Sequence, residues 1–168
     1  ITPAIISIPK GRTELLTATG IYSDGTIKNL SNLVTWKSQK TSVAIVDVVG
    51  NITAKGEGSS NISATYSGIA RGADVTVTPA ELSSFTVQPD TFSIAKGLTK
   101  QFSVTLLYTD GTSRNYTSGW SSDANSVATV NSGGLVTAIG KGKANITAHR
   151  NGFSARATLT VTDAVLQS

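Results

Sequence analysis

One histidine, no cysteine and ten acidic side chains among 168 residues leave this chain little chemistry to work with. A Ser–His–Asp arrangement needs a histidine held in position by its neighbours. His149 ends the alternating stretch Asn145-Ile146-Thr147-Ala148-His149, out of parity with Ile146 and Ala148, so it is expected on a solvent face. Without cysteine there is no disulfide, thiolate nucleophile or Cys-based zinc site. The acids are few and fall mostly at turns, which gives no carboxylate pair of the kind a glycosidase uses. No catalytic residue is assigned, and no enzyme activity is expected.

Asp24 and Asp110 occupy matching positions in Tyr22-Ser23-Asp24-Gly25-Thr26 and Tyr108-Thr109-Asp110-Gly111-Thr112. Calcium wants about 6–8 oxygen ligands, usually from several acids close in sequence. No Asp-x-Asp-x-Asp run is present, and Asp-Gly between strand-like runs is a hairpin signal in its own right, with central positions that accept φ > 0. A calcium site assembled between domains from Asp90, Asp163 or backbone oxygens stays open. Gly56-x-Gly58 and Gly140-x-Gly142 look like pieces of a phosphate loop, but they lead into strand-like sequence and lack the Lys-Ser/Thr pair.

Trp36 and Trp120 could stack on sugars, or they could fill the cores of two β-sandwiches. Their surroundings favour the core. Trp36, Ser38, Ser42-Val43-Ala44, Val46, Gly50, Thr53-Ala54, Gly56, Gly58, Asn61-Ile62 and Ala64 recur at an offset of 84 residues, from Trp120 to Ala148. Repetition without an insertion over that length marks an internal repeat. Ahead of it, Lys10-Gly11 and Tyr22 to Thr26 recur at an offset of 86, so two residues were gained or lost in the loop before each tryptophan.

The repeat sets the domains: residues 1–79, residues 80–162, and 163–168 as the start of a further repeat or a linker. The tail matches Pro79 to Ser84 in position, and Leu82-Ser83-Ser84-Phe85-Thr86 has no counterpart ahead of Ile1. The first strand of the first domain is therefore expected to be truncated. β-branched and small residues with frequent turns predict an all-β chain. Each copy should form about seven short strands packed as a sandwich. One long strand is expected from Glu14 to Tyr22 and from Lys100 to Tyr108, and a last strand over Asp74–Thr78 and Thr158–Thr162. The cores are assigned Trp36, Trp120, Tyr22, Tyr108, Ile62 and Ile146.

The net charge of +4 is spread evenly, with seven basic and five acidic residues on either side of Pro79. Nucleic-acid binding needs a clustered basic stripe, so no nucleic acid is expected. No apolar run approaches the ~20 residues of a membrane helix, so no membrane insertion is expected of this stretch.

With these motifs in place, the chain resembles the bacterial Ig-like domains of group 2. That family's Tyr-x-Asp-Gly-Thr, Val-Thr-Trp-x-Ser, Gly-x-Val-Thr-Ala-x-Gly-x-Gly and Ile-x-Ala stand at Tyr22–Thr26, Val34–Ser38, Gly50–Gly58 and Ile62–Ala64. The second copy departs before Trp120, where Ser118-Gly119 replaces Val-Thr. The resemblance implies tandem immunoglobulin-like sandwiches that adjoin further repeats. The joins at Val77–Ala80 and Val161–Ser168 are similar to those of leptospiral immunoglobulin-like adhesins. That implies an adhesin at the outer surface of an outer-membrane-anchored protein, with host matrix proteins such as fibronectin as partners and Ca²⁺ as a candidate ion. Stalk domains and accessory modules of secreted carbohydrate-active enzymes or phage particles are alternatives that carry similar domains.

Overall fold

The computed structural model describes residues 1–117 and 119–164, and every regular element in them is a strand. Ser118 and Val165–Ser168, on which part of the family comparison and the further-repeat expectation rest, lie outside the described residues. The main division between two compact units falls between Glu81 and Leu82.

In the first unit the strands are β1 (Ile5–Pro9), β2 (Thr13–Leu15), β3 (Thr19–Ile21), β4 (Ile27–Asn29) and β5 (Thr35–Ser38), followed by β6 (Ala44–Val46), β7 (Asn51–Ala54), β8 (Gly58–Tyr66) and β9 (Ile69–Thr78). One sheet runs β1-β9-β8-β5, with β1 parallel to β9; β2-β7-β6 and β3-β4 form the opposing side. The second unit contributes β10 (Leu82–Gln88), β11 (Thr91–Ala95), β12 (Thr99–Gln101), β13 (Ser103–Tyr108) and β14 (Ser113–Tyr116). After these come β15 (Trp120–Ser122), β16 (Ala128–Val130), β17 (Leu135–Ala138), β18 (Gly142–Arg150) and β19 (Phe153–Thr162). Its sheets run β11-β19-β18-β15, β12-β17-β16 and β10-β13-β14.

The long strand expected from Glu14 to Tyr22 is broken. Its front, β2, pairs with β7, and its back, β3, pairs with β4. The second unit breaks the same way between β12 and β13. Leu16 and Phe102 sit at the breaks with their side chains buried, so the chain changes partners where a large apolar residue drops into the core. The last strands begin earlier than expected, at Ile69 and Phe153, because two-residue loops join them directly to β8 and β18. Ser67-Gly68 and Asn151-Gly152 have positive φ at both positions, the backbone of a type I′ hairpin turn. The Asp-Gly turns differ from expectation. Only Gly25 and Gly111 have positive φ, and Tyr22 N–H donates to Thr26 C=O across a three-residue loop.

Burial alternates along β8 and β9 with the period of a strand that shows one face to a core. Ile62, Ala64, Ala73, Val75 and Val77 point inward and meet Ile8, Leu16, Ala44, Ile52 and Ala54. In the second unit Ile146, Ala148, Ala157, Leu159 and Val161 meet Phe102, Val104, Leu106 and Val136 in the same way. The inward residues are mostly small, so each core is thin and its one indole ring is a large share of the filling.

At one point the packing is tight enough to dictate a residue. A Cβ on Gly50 would stand 2.6 Å from Leu16 C=O and 2.8 Å from the Trp36 ring, and its φ is +92°. Gly134 meets Phe102 C=O and Trp120 alike. Gly50→Ala is expected to destabilise the first unit by about 2 kcal/mol or more, from backbone strain and collision together. Urea denaturation of the 168-residue chain would check it, and an unchanged midpoint would mean that the ring is free to move aside.

Candidate functional site

The tryptophans come first. Trp36 on β5 lies opposite Ala64 of β8 and packs, partly buried, against the first core. Its Nε1–H donates to Ser31 C=O at 2.9 Å. Ser31 is fixed in turn: its N–H donates to Asn29 Oδ1 at 2.9 Å, and its Oγ accepts Ala18 N–H at 3.0 Å. Trp120 on β15 lies opposite Ala148 and packs, partly buried, against the second core. Its Nε1 is buried with no hydrogen-bond partner among the described residues. Ile62 and Ile146, two residues before those alanines, are fully buried. Tyr108 packs partly buried against the second core, with the Arg114 guanidinium 5.7 Å from its ring centre.

Tyr22 departs from its assignment to the core. It is 38% exposed, with Lys28 Nζ 5.1 Å from its ring centre. The cause is on the neighbouring strand. Tyr108 faces Leu82 across the β10–β13 pairing, whereas among the described residues no strand lies on that edge of β3 to cover Tyr22.

Two of the turn carboxylates, Asp24 and Asp47, are occupied by their own loops. Asp24 Oδ1 accepts Thr26 N–H at 2.9 Å and Thr26 Oγ–H at 2.7 Å. Those bonds, the backbone one foremost, hold its pKa below the usual carboxylate value. Asp47 Oδ1 accepts Val49 and Asn51 N–H; at the matching place Asn131 Oδ1 accepts Gly133 and Leu135 N–H. A neutral amide does the same work there, so the position calls for an acceptor rather than a charge. Asp90 Oδ1 accepts Thr91 N–H, and Asp163 pairs with Lys141 at 2.7 Å on an open surface, where such a pair contributes little. Among the described residues no three His, Cys, Asp or Glu side chains form a group that could hold a metal. The calcium suggested by the resemblance does not fit this donor set.

Sequence reasoning missed one polar arrangement. Asn61 and Asn145 stand at matching places, and each binds an acid from a different direction. Asn61 Nδ2–H donates to Asp74 of β9 at 2.8 Å. Asn145 Nδ2–H instead donates to Asp123 Oδ2 at 2.6 Å, and Asn145 N–H to Asp123 Oδ1 at 2.7 Å. Asp123 follows β15, so this contact ties that loop to the centre of β18. The Asn145 side chain, then its backbone N–H, hold the Asp123 carboxyl below its usual pKa. The place of Asp74 is taken by Thr158, whose Oγ–H reaches Asn145 Oδ1 at 3.3 Å.

His149 is exposed on β18, and Gly56 and Gly140 lead into strands. What the arrangement does build is two apolar sandwiches, each with a tryptophan packed on its core.

Two such sandwiches in one chain define immunoglobulin-like tandem modules. The chain belongs to the bacterial Ig-like domain (group 2) family, whose model matches residues 1–78 and 81–161. It is 41% identical over 170 residues to Ice-binding protein 1 of Shewanella frigidimarina (strain NCIMB 400), a match that takes in all of this chain and 19% of that protein. The chain therefore spans about a fifth of the length of that relative. Among solved structures, domains 4 and 5 of the S-layer protein SbsC are 24% identical, with a TM-score of 0.45, over 88% of this chain and 80% of theirs. Domains 1–6 of the same protein give 23% and 0.48, over 86% of this chain and 22% of theirs.

Two outcomes follow from this geometry. Trp36→Phe keeps most of the ring but leaves Ser31 C=O without its indole donor, at an expected cost of about 1–2 kcal/mol. A chemical melt checks this, and a loss below about 0.3 kcal/mol would remove the bond from the account of stability. The second concerns acid. Because the Asp123 pKa is lowered in the folded chain, its contribution is in place above the unfolded value of ~3.9 and fades as pH falls through the folded one. Asp123→Ala should thus lower the denaturation midpoint at pH 7, and the gap from the parent chain should narrow below about pH 4. A gap that ignores pH would mean that the carboxylate charge is irrelevant.

Proposed function

We propose that this chain is a non-catalytic spacer segment of a large bacterial protein that works at the cell surface or outside the cell, where it holds a binding domain away from its anchor. One observation carries the reading. The whole chain is two copies of a single family domain, and it aligns end to end with about a fifth of a much longer relative. Repetition of a self-contained sandwich adds reach and stiffness without adding chemistry. The Thr78-Pro79-Ala80-Glu81 join supports this role, since it is short, carries a proline and is not Gly/Ser-rich.

The relative named for ice binding is so named as a whole protein, and this chain corresponds to only part of it. Ligand capture is accordingly assigned to other parts of the parent protein. The adhesin reading, with host matrix proteins such as fibronectin as ligands, is supported only by the resemblance of the joins. Neighbouring repeats are the partners this reading requires.

The test is direct binding of the 168-residue chain to ice, to immobilised fibronectin and to polysaccharide, each with and without Ca²⁺. A spacer gives no saturable binding to any of them. Saturable retention on ice or fibronectin would overturn the spacer reading and turn these domains into the capture surface.

A further inference from the structure

The contact between Asp123 and Asn145 exists in one repeat only, yet the other repeat keeps its main donor. In the second unit Asn145 N–H donates to Asp123 Oδ1 at 2.7 Å, and Asn145 Nδ2–H to Oδ2 at 2.6 Å. Asp123 N–H in turn donates to Asn145 C=O at 3.2 Å. The carboxylate thus completes the ladder where the chain leaves β15.

The first unit repeats the backbone of this place. Gln39 N–H donates to Asn61 C=O at 2.9 Å. One residue's N–H and C=O face the same neighbour in an antiparallel ladder, so Asn61 N–H also turns to the β5 side. Gln39 stands there in the place of Asp123, and among the described residues no carboxylate accepts Asn61 N–H. The Asn61 side chain turns the other way. Its Nδ2–H donates to Asp74 of β9, and its amide lies over Gly72, where a Cβ would stand 2.7 Å from Oδ1. What opens on the β5 side is a polar hollow of about 440 Å³ lined by Lys37, Gln39, Asn61 and Ser63. Lys37 faces Ser63 across the strands, and the second unit has Ser121 in its place. The repeat without the internal carboxylate therefore carries a cation at this spot, and among the described residues Lys37 forms no ion pair.

We propose that this hollow is a binding site for a small carboxylate anion, which takes the place that the Asp123 side chain fills in the second unit. One oxygen accepts Asn61 N–H and the other meets Lys37 Nζ, while Gln39 can supply an amide donor. A backbone N–H, an ammonium and an amide all donate, which suits an acceptor-only group. Such charge-assisted bonds are the stronger kind. Lys37 and Gln39 are exposed, however, so half-saturation is expected on the order of tens of millimolar. Weak binding of a small anion leaves the spacer reading as it stands.

The test titrates the isotope-labelled 168-residue chain with sodium acetate at neutral pH, against sodium chloride at the same ionic strength, and follows the amide resonances. Asn61 N–H is expected to move downfield and saturate with acetate but not with chloride. Asn145 N–H, already bonded to Asp123, should stay in place. Lys37→Gln should raise the half-saturation concentration by about threefold. Gln39→Asp should supply the carboxylate from within, so that Asn61 N–H stands downfield before acetate is added and then no longer responds. Both changes fall at exposed positions and spare the core. An Asn61 response that chloride reproduces would overturn the proposal. So would one that survives Gln39→Asp or is indifferent to Lys37→Gln, since the anion would then sit elsewhere.

Discussion

Everything in this fold depends on a hairpin whose two strands bury every second residue. β8 and β9, like β18 and β19, are the longest elements of their units and carry the densest run of inward side chains. With no disulfide available, the core must hold each unit by itself. A one-residue slip of that hairpin would turn Ile62, Ala64, Ala73 and Val75 out to solvent together. The two-residue I′ loops prevent this, because they fix which residues face each other at the tip. Small inward residues keep the layers close, and the tryptophan then fills the volume that alanines leave. Gly50 and Gly134 complete the arrangement by letting the next turn come down against the ring.

The two copies show which parts of this plan are negotiable. The indole, the glycine against it and the alternating hairpin recur at matching places. The polar fittings do not. Asp47 gives way to Asn131 in one turn, and the acid bound to the central asparagine moves from β9 to the loop after β15. The central packing recurs between the copies, whereas several hydrogen-bond partners differ.

Much of this was legible in the sequence because it is periodic or repeated. The 84-residue offset marks the units, and the parity of Ile62, Ala64, Ile146 and Ala148 marks the inward face. What could not be read was set by neighbours distant in the chain. Leu16 and Phe102 look like interior strand residues, yet they sit where the strand passes to a different sheet, and nothing local signals the change. Asp123 and Asn145 are 22 residues apart, and the other copy has Gln39 in place of the acid, so comparing repeats hid the contact. Tyr22 has the right parity for burial. Parity says which face a side chain takes, but coverage of that face requires a partner strand, and β3 has one on one side only.

That last point changes how the modules should be counted. A sandwich is complete only when both edges of each sheet are paired, covered or protected, because open edges invite association. In the second unit the edge of β13 is closed by β10, which begins at the join between repeats. The strand that finishes a domain is thus the stretch of chain that connects it to the domain before. Val87 of that strand is buried and Leu82 and Phe85 pack against the core, so a change in it acts on folding.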